Sequence, residues 1–369
     1  MIAVIGGVKT LISISMVPPE RDLEKQKKQD EEALLAAGID MTGMQAGEGA
    51  AAEESPEDAR FRKYYESKMR EQAAEDYWSE VGLGTRDFGG YDPVNGENTD
   101  IRATNSGCSY NVAGILAQKP ENRGRVAFVS VVGNDSLGAA ALCGLQEAGV
   151  DVSAVKRLEG ATPISVEMRN VIGDLEFCRE NNSLMEEITP QYIDECSGLL
   201  DGAEAIFLDG SLPVETLNHI SEKYADSCRI FFDPASIQGG VRFRESKLSC
   251  YMVMPGRMEA EAMTGRQVLG VDQLMEAGNA LEERGVVRTA VTLKGGSIYY
   301  KEGPDAGIIK PEKALSFVDT KGAGDVVSAE LVYRTVKGES FREAAGGAMA
   351  AAAEFLKGAR SLKGGADGR

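Results

Sequence analysis

The chain is predicted to be an α/β protein, with a mainly parallel central sheet, helices on both faces and a small β-sheet lid. Three observations predict it. From about residue 100, apolar strand-like runs recur: RVAFVSVVG, AEAIFLDG, CRIFFDP, CYMVMPG and RTAVTLKGG. Helical segments lie between them, among them SLGAAALCGLQEAG, VETLNHISEKYA and VDQLMEAGNALEERG. Strands alternating with helices in this way build right-handed βαβ units. The third observation is TPISVEMRNVIGDLEFCREN, which alternates apolar and polar residues around Gly173-Asp174. That pattern describes a hairpin with one exposed face, part of a smaller antiparallel sheet. A parallel core with a β flap implies a cleft and a cover.

In chain order, Met1 to Ile5 is a short apolar run ended by Gly6-Gly7, which suits a buried first strand entering a turn. The composition then changes. Residues 20–80 hold 17 acidic and 9 basic side chains, a net of −8 out of −18 for all 369 residues. Polar helices are expected at Glu20 to Ala37 and at Glu57 to Glu80, the second directly after Pro56. The Gly/Ala-rich stretch Met41 to Ala52 separates them. Apolar residues are too few there for a separate core, so the segment reads as a partly helical acidic insertion.

Composition excludes several functions. A chain with 40 Lys+Arg against 58 Asp+Glu is a poor partner for nucleic acid or anionic membrane, although backbone N–H groups can still bind phosphate locally. The single histidine, His219, rules out a two-histidine zinc site. Six scattered cysteines without a C-x-x-C pair read as reduced, mostly buried thiols. No basic leader and no apolar run of membrane length are visible, so a cytoplasmic location is expected.

The chemistry is expected at residues 316–336, SFVDTKGAGDVVSAELVYRTV. A β-type run ends at Asp319-Thr320, and Gly322-Ala323-Gly324-Asp325 opens a small-residue helix. Glycines there let successive backbone N–H groups converge at a helix N-terminus, which carries partial positive charge. Such a site can take the negative charge of a transferring phosphoryl group, with Asp325 placed to accept a proton from an attacking hydroxyl. A helix capped after a glycine turn would look the same locally. No Walker A loop and no G-x-G-x-x-G occur; GGVKT at 6–10 and GLGTRD at 82–87 lack the spacing.

DTKGAGD resembles the D-T-x-G-A-G-D signature of the PfkB (ribokinase-like) carbohydrate and nucleoside kinases. Other motifs agree in order. NSGCSYNVAGILAQ is similar to the family's G-G-x-x-x-N-x-A segment, and VSVVGNDSLGAAALCGLQEAGVDVS to its V-G-D-D stretch. MPGRMEAEAMTG is similar to P-N-x-x-E-A-x-x-L-T-G, and VTLKGGSIYY to V-T-L-G-x-x-G. The hairpin with NNSLMEEITP, LDGSLPVETL and FDPASIQ lean toward pseudouridine kinases. The resemblance implies one ribokinase-like domain over 1–369, the acidic insertion at 20–94, and lid strands within 95–110 and 160–180. Lid sheets in this family often pair between subunits, so a homodimer through the lid belongs to the expectation.

It also implies ATP with Mg²⁺ as cofactors, K⁺ as a further cation, and a small sugar or nucleoside as partner. Asp325 would be the base, with Gly322, Ala323 and Gly324 forming the anion hole. Gly107 and Asn111 would contact the sugar. Glu259 would orient water on Mg²⁺, and Thr292, Gly295 and Lys321 would lie by the nucleotide. Asp319 would stand near a monovalent-cation loop. Four positions depart from the pattern. Lys9-Thr10-Leu11 stands where the family has N-x-D, whose Asp holds sugar hydroxyls. Ser106, Gly256 and Lys294 replace a glycine, the Asn of P-N-x-x-E and another glycine. Two readings stay open: an ATP-dependent kinase acting on a sugar or nucleoside hydroxyl, and a catalytically weak or inactive relative that binds such a molecule as a sensor or partner subunit.

Overall fold

The computed structural model describes residues 1–16, 99–169, 175–311 and 321–364. The expected insertion at 20–94, the hairpin turn at Gly173-Asp174 and the approach to the glycine loop, Asp319 included, lie outside the described residues. The α/β expectation holds. A nine-stranded sheet has the order β13-β12-β11-β10-β9-β8-β1-β4-β5. Its strands are β1 (Ile2–Ile5), β4 (Val126–Gly133), β5 (Val155–Leu158), β8 (Ala205–Asp209), β9 (Arg229–Asp233), β10 (Met252–Val253), β11 (Arg288–Thr292), β12 (Ile298–Glu302) and β13 (Asp305–Ile309). The seven strands from β11 to β5 pair parallel, while β12 and β13 close one edge antiparallel.

Strands buried on both faces need apolar residues at every position, which is why the runs read as continuous rather than alternating. In β1, Ile2 and Val4 face one apolar cluster, and Ala3 and Ile5 face the other. The first cluster takes in α1 (Cys108–Ala117), α9 (Ala323–Val336) and α10 (Phe341–Gly364). The second takes in α3 (Pro190–Glu195), α4 (Ser197–Leu200), α5 (Val214–Tyr224) and α6 (Ile237–Glu245). Beyond them, α7 (Arg257–Thr264) and α8 (Val271–Glu283) cover β11. The six cysteines are free, but only Cys196 and Cys250 are buried, fewer than expected.

The chain divides into two compact units. The first comprises Met1–Ile12, Ala103–Val166 and Arg179–Arg369, and holds the nine-stranded sheet. The second comprises Ser13–Arg102 and Glu167–Cys178. Four strands, β2 (Lys9–Met16), β3 (Thr99–Ser106), β6 (Ile164–Arg169) and β7 (Leu175–Asn181), make a separate sheet in the order β3-β2-β6-β7. Among the described residues, no helix is long and apolar enough to cross a membrane.

In the first unit β1 is flanked by β4 on one side and β8 on the other. Strand order reverses there, and open parallel sheets place their crevice outside the carboxyl ends at such a point. The VGNDS segment closes β4 and starts α2 (Ser136–Glu147), with Asp135 as its cap. One Asp135 oxygen accepts from Gly138 N at 2.8 Å and the Thr162 hydroxyl at 2.6 Å; the other accepts from Thr162 N at 2.8 Å. Asp135 therefore ties α2 to the residues leading into β6. Replacing it with Ala is expected to lower unfolding free energy by about 2 kcal/mol, the cost of a lost cap with a stranded N–H. Urea denaturation at constant m-value measures this; an unchanged midpoint would show that the clamp carries no stability.

Candidate active site

Four segments meet at the carboxyl ends of β1, β8, β9 and β11, all within the first unit. The first is the entry to α1. Gly107 precedes that helix at φ 123°, a backbone region closed to side chains, and a Cβ there would lie 2.6 Å from the Gly7 carbonyl oxygen. A Cβ on Gly6 would lie 2.2 Å from Ser109 Oγ, so the turn after β1 and the start of α1 can approach each other only because Gly6 and Gly107 lack side chains. Asn111 follows in the first turn of α1, and its amide nitrogen donates to Asp325 Oδ2 at 2.7 Å. The structure thus brings together two residues 214 positions apart that the sequence singles out separately.

The second segment is the start of α9. Gly322 caps it in the left-handed conformation at φ 80°, without a side-chain hydrogen bond. The leading N–H groups of an α-helix have no partner inside the helix. Gly322 has no side chain to take them, and among the described residues nothing lies within 4 Å of where a Gly324 Cβ would be. Asp325 sits in this first turn. Burial lifts its carboxyl to about 6, opposed by hydrogen bonds from Asn111 and Cys108; the negative charge of Asp209 adds to the rise and the positive charge of Lys9 counters it. The Cys108 thiol is pushed well up by burial and by the charges of Asp233, Asp325 and Asp209, so it is an inert hydrogen-bond donor. Lys321 is exposed in the turn just before α9.

The third segment holds two carboxylates that close β8 and β9 and lie side by side in register. Asp209, 2% exposed, accepts from Gly7 N and Ser109 N, both at 3.1 Å, from Ser211 N at 2.9 Å, and from the Ser211 hydroxyl. Asp233 accepts from Ser328 Oγ at 2.6 Å and from Ala235 N at 2.8 Å. Ser328 lies one turn beyond Asp325 on α9, so Asp233 binds that helix to the sheet. Burial raises Asp233 to about 7; Ser328 opposes this and the nearby Asp325 charge adds to it. Ala235, at φ 55°, is the one non-glycine residue with positive φ among the described residues. Its backbone conformation is uncommon without glycine, and it delivers the N–H that Asp233 accepts.

The fourth segment joins α7 to β11. Thr292 N donates to Pro255 O at 2.9 Å, and Gly256 and Thr292 form a parallel bridge. Glu259 folds back over Gly256, its Oε2 only 2.4 Å from where a Cβ would stand. The carboxylate therefore uses the space vacated by the Asn expected at position 256. Gly295 follows β11 in a tight turn at φ 78°. Among the described residues, no group of three or more His, Cys, Asp or Glu is arranged to hold a metal ion.

Asp325, Gly322, Ala323, Gly324, Gly107 and Asn111 come together, as do Glu259 and Thr292. Asp319 lies outside the described residues. The sequence reading named Asp209 and Asp233 only within stretches similar to pseudouridine kinases and gave neither a role in the site; it missed Ser328 and Cys108. A signal existed for the two acids: in AEAIFLDG and CRIFFDP a carboxylate ends an otherwise apolar strand, where burial is costly unless donors converge on it.

A helix N-terminus that opens on small residues beside a part-buried carboxyl of raised affinity for protons suits transfer of an anionic group to a hydroxyl. Comparison with known proteins agrees. An uncharacterized sugar kinase of Escherichia coli K12 is 29% identical over 69% of this chain and 69% of its own length. The pseudouridine kinase of the same organism is 25% identical over 74% of this chain and 88% of its length. A structure of Arabidopsis thaliana ribokinase complexed with ribose and ATP superposes with a TM-score of 0.61 at 16% identity, covering 96% of this chain and 92% of that one. It shows the same ribokinase-like fold. The sequence model of the pfkB family carbohydrate kinases matches residues 80–359, the glycine loop and every segment of the site except the Gly6-Gly7 turn among them, and the chain therefore belongs to that family.

Proposed function

We propose that the chain transfers the terminal phosphoryl group of ATP to a hydroxyl of a sugar or nucleoside, with pseudouridine the favoured acceptor and ribose-type sugars next. The observation that carries this is the contact between Asn111 and Asp325 in the first turn of a helix that opens on Gly322, Ala323 and Gly324. Asp325 takes the proton of the acceptor hydroxyl, whose oxygen forms a new bond to the terminal phosphorus as the bond to the ADP oxygen breaks. The N–H groups at Gly322, Ala323 and Gly324 face the charge that grows on the phosphoryl oxygens. Asn111 orients the acceptor, with Gly107 giving access to it. Thr292, Gly295 and Lys321 take the nucleotide side.

Mg²⁺ fits the donor set as a largely hydrated ion. Glu259 is a carboxylate close enough to Asp233 to raise its proton affinity, yet no cage of three protein ligands exists among the described residues. A small cation that keeps its waters and shares phosphate oxygens needs no such cage. Glu259 would hold it through water, and the ion would offset phosphate charge. A K⁺ site at Asp319 belongs to the same proposal. Support for pseudouridine comes from the pseudouridine kinase relative and from Asp209-Gly210-Ser211-Leu212-Pro213 and Asp233-Pro234-Ala235-Ser236. Leu11 favours the second reading, a binding protein without turnover, because it removes an acid expected to hold the sugar.

ATP consumption on a panel of pseudouridine, uridine, adenosine, ribose and fructose decides between them; silence on the whole panel would favour the binding protein. Asp325→Asn is expected to lower kcat by roughly 10²–10⁴ with the fold intact, the scale for a positioned base. Because Asp325 must be ionised and its carboxyl sits near 6, kcat/KM should fall about tenfold per unit as pH drops below that value. Near-wild-type turnover in the folded Asn variant would remove Asp325 from the mechanism. Excess chelator should abolish activity, and Glu259→Gln should raise the Mg²⁺ concentration needed for half-maximal rate. Full activity in chelator would contradict the metal's part.

A further inference from the structure

An acceptor with ring hydroxyls needs carboxylate oxygens to receive them, and those of the site described above are committed elsewhere. Four donors already occupy Asp209. Asp233 holds Ser328 and Ala235 N, and Asp325 is needed as the base. Leu11, where the family carries its sugar-holding acid, is apolar and 5% exposed. Side chains along a strand alternate faces, so Lys9 shares the face of Leu11 on β2. It lies two residues past Gly7, whose carbonyl abuts Gly107, and its charge is felt at Asp325. The Lys9 ammonium pairs with Glu180 near the end of β7, with side chains 29% and 35% exposed. The other Glu180 oxygen accepts from the Asn182 amide. A carboxylate offers about four acceptor sites, and among the described residues Lys9 and Asn182 take about two of those on Glu180.

We infer that Glu180, held by Lys9, is the specificity-determining carboxylate that receives the acceptor's adjacent ring hydroxyls in place of the acid lost at Leu11. This rests on the kinase function proposed above. Lys9 has a reason to stand there. Its charge reaches Asp325, and its pairing with Glu180 offsets the negative charge that a further carboxylate brings. The class of acceptor selected is a neutral ring with vicinal hydroxyls.

The test uses the full chain, with pseudouridine and ribose as probes. KM and kcat are measured with ATP, and binding by calorimetry without it. Glu180→Gln is expected to raise KM roughly 10- to 100-fold, the range for a lost charge-assisted hydrogen bond, with kcat changed about threefold at most. Glu180→Asp should give an intermediate value. Leu11→Asp introduced into Glu180→Gln should recover much of the loss, which a merely structural role for Glu180 would not allow. An unchanged KM and Kd in a folded Glu180→Gln or Glu180→Asp protein would overturn the inference while leaving the kinase function standing. Binding that weakens in Glu180→Gln without turnover in the wild type would sink the kinase function and keep the role of Glu180. Absence of binding and turnover with both probes would overturn both.

Discussion

The site is organised around the carboxylate of Asp209. It is buried at the end of β8 and collects donors from three places: Gly7 in the turn after β1, Ser109 in the first turn of α1, and Ser211 in the turn after β8. A buried unpaired charge would be prohibitive, so these segments are positioned together or not at all. Without Asp209, buried backbone N–H groups at Gly7 and Ser109 would each lose their partner, at about 1–3 kcal/mol apiece. What depends on this knot is the placement of α1. Asn111 stands less than one turn past Ser109, and its reach to Asp325 follows from where that helix begins.

A second tether fixes the other half. Asp233 closes β9 and holds Ser328 of α9, so the helix that carries Asp325 is bound to the neighbouring strand. Adjacent strand ends thus clamp the two helices whose side chains meet. The cost is electrostatic: acids converge where water is scarce, and burial lifts Asp233 to about 7 and Asp325 to about 6. A carboxyl poised near 6 is ionised at neutral pH yet is a stronger base than an ordinary aspartate, which suits proton transfer from a hydroxyl. The positive end of α9 and Lys9 are the local offsets in a chain of net charge −18.

The departures from the family pattern are physically coherent. Gly256 leaves room that Glu259 enters, so the acid is drawn toward the Thr292 bridge where an Asn would have pushed it away. Leu11 is buried, and two residues earlier on the same strand Lys9 pairs with Glu180.

The parallel core could be read directly, since strands buried on both faces must be apolar throughout and the helices between them keep a length that spans the sheet. The glycine loop was equally legible, because an αL residue followed by an unblocked helix start demands small residues in consecutive positions, and Gly322, Ala323 and Gly324 supply them. The ordered motifs also singled out Asn111, Glu259 and Thr292, each within its own segment. Only the tertiary structure could decide that Asn111 bonds Asp325, that Asp209 and Asp233 are clamps, and that Lys9 pairs with Glu180. Each of these joins residues about 90 or more positions apart. Local periodicity constrains a residue's neighbours along one helix or strand. It carries no information about which strand ends are brought side by side, and that adjacency determines where buried carboxylates find their donors.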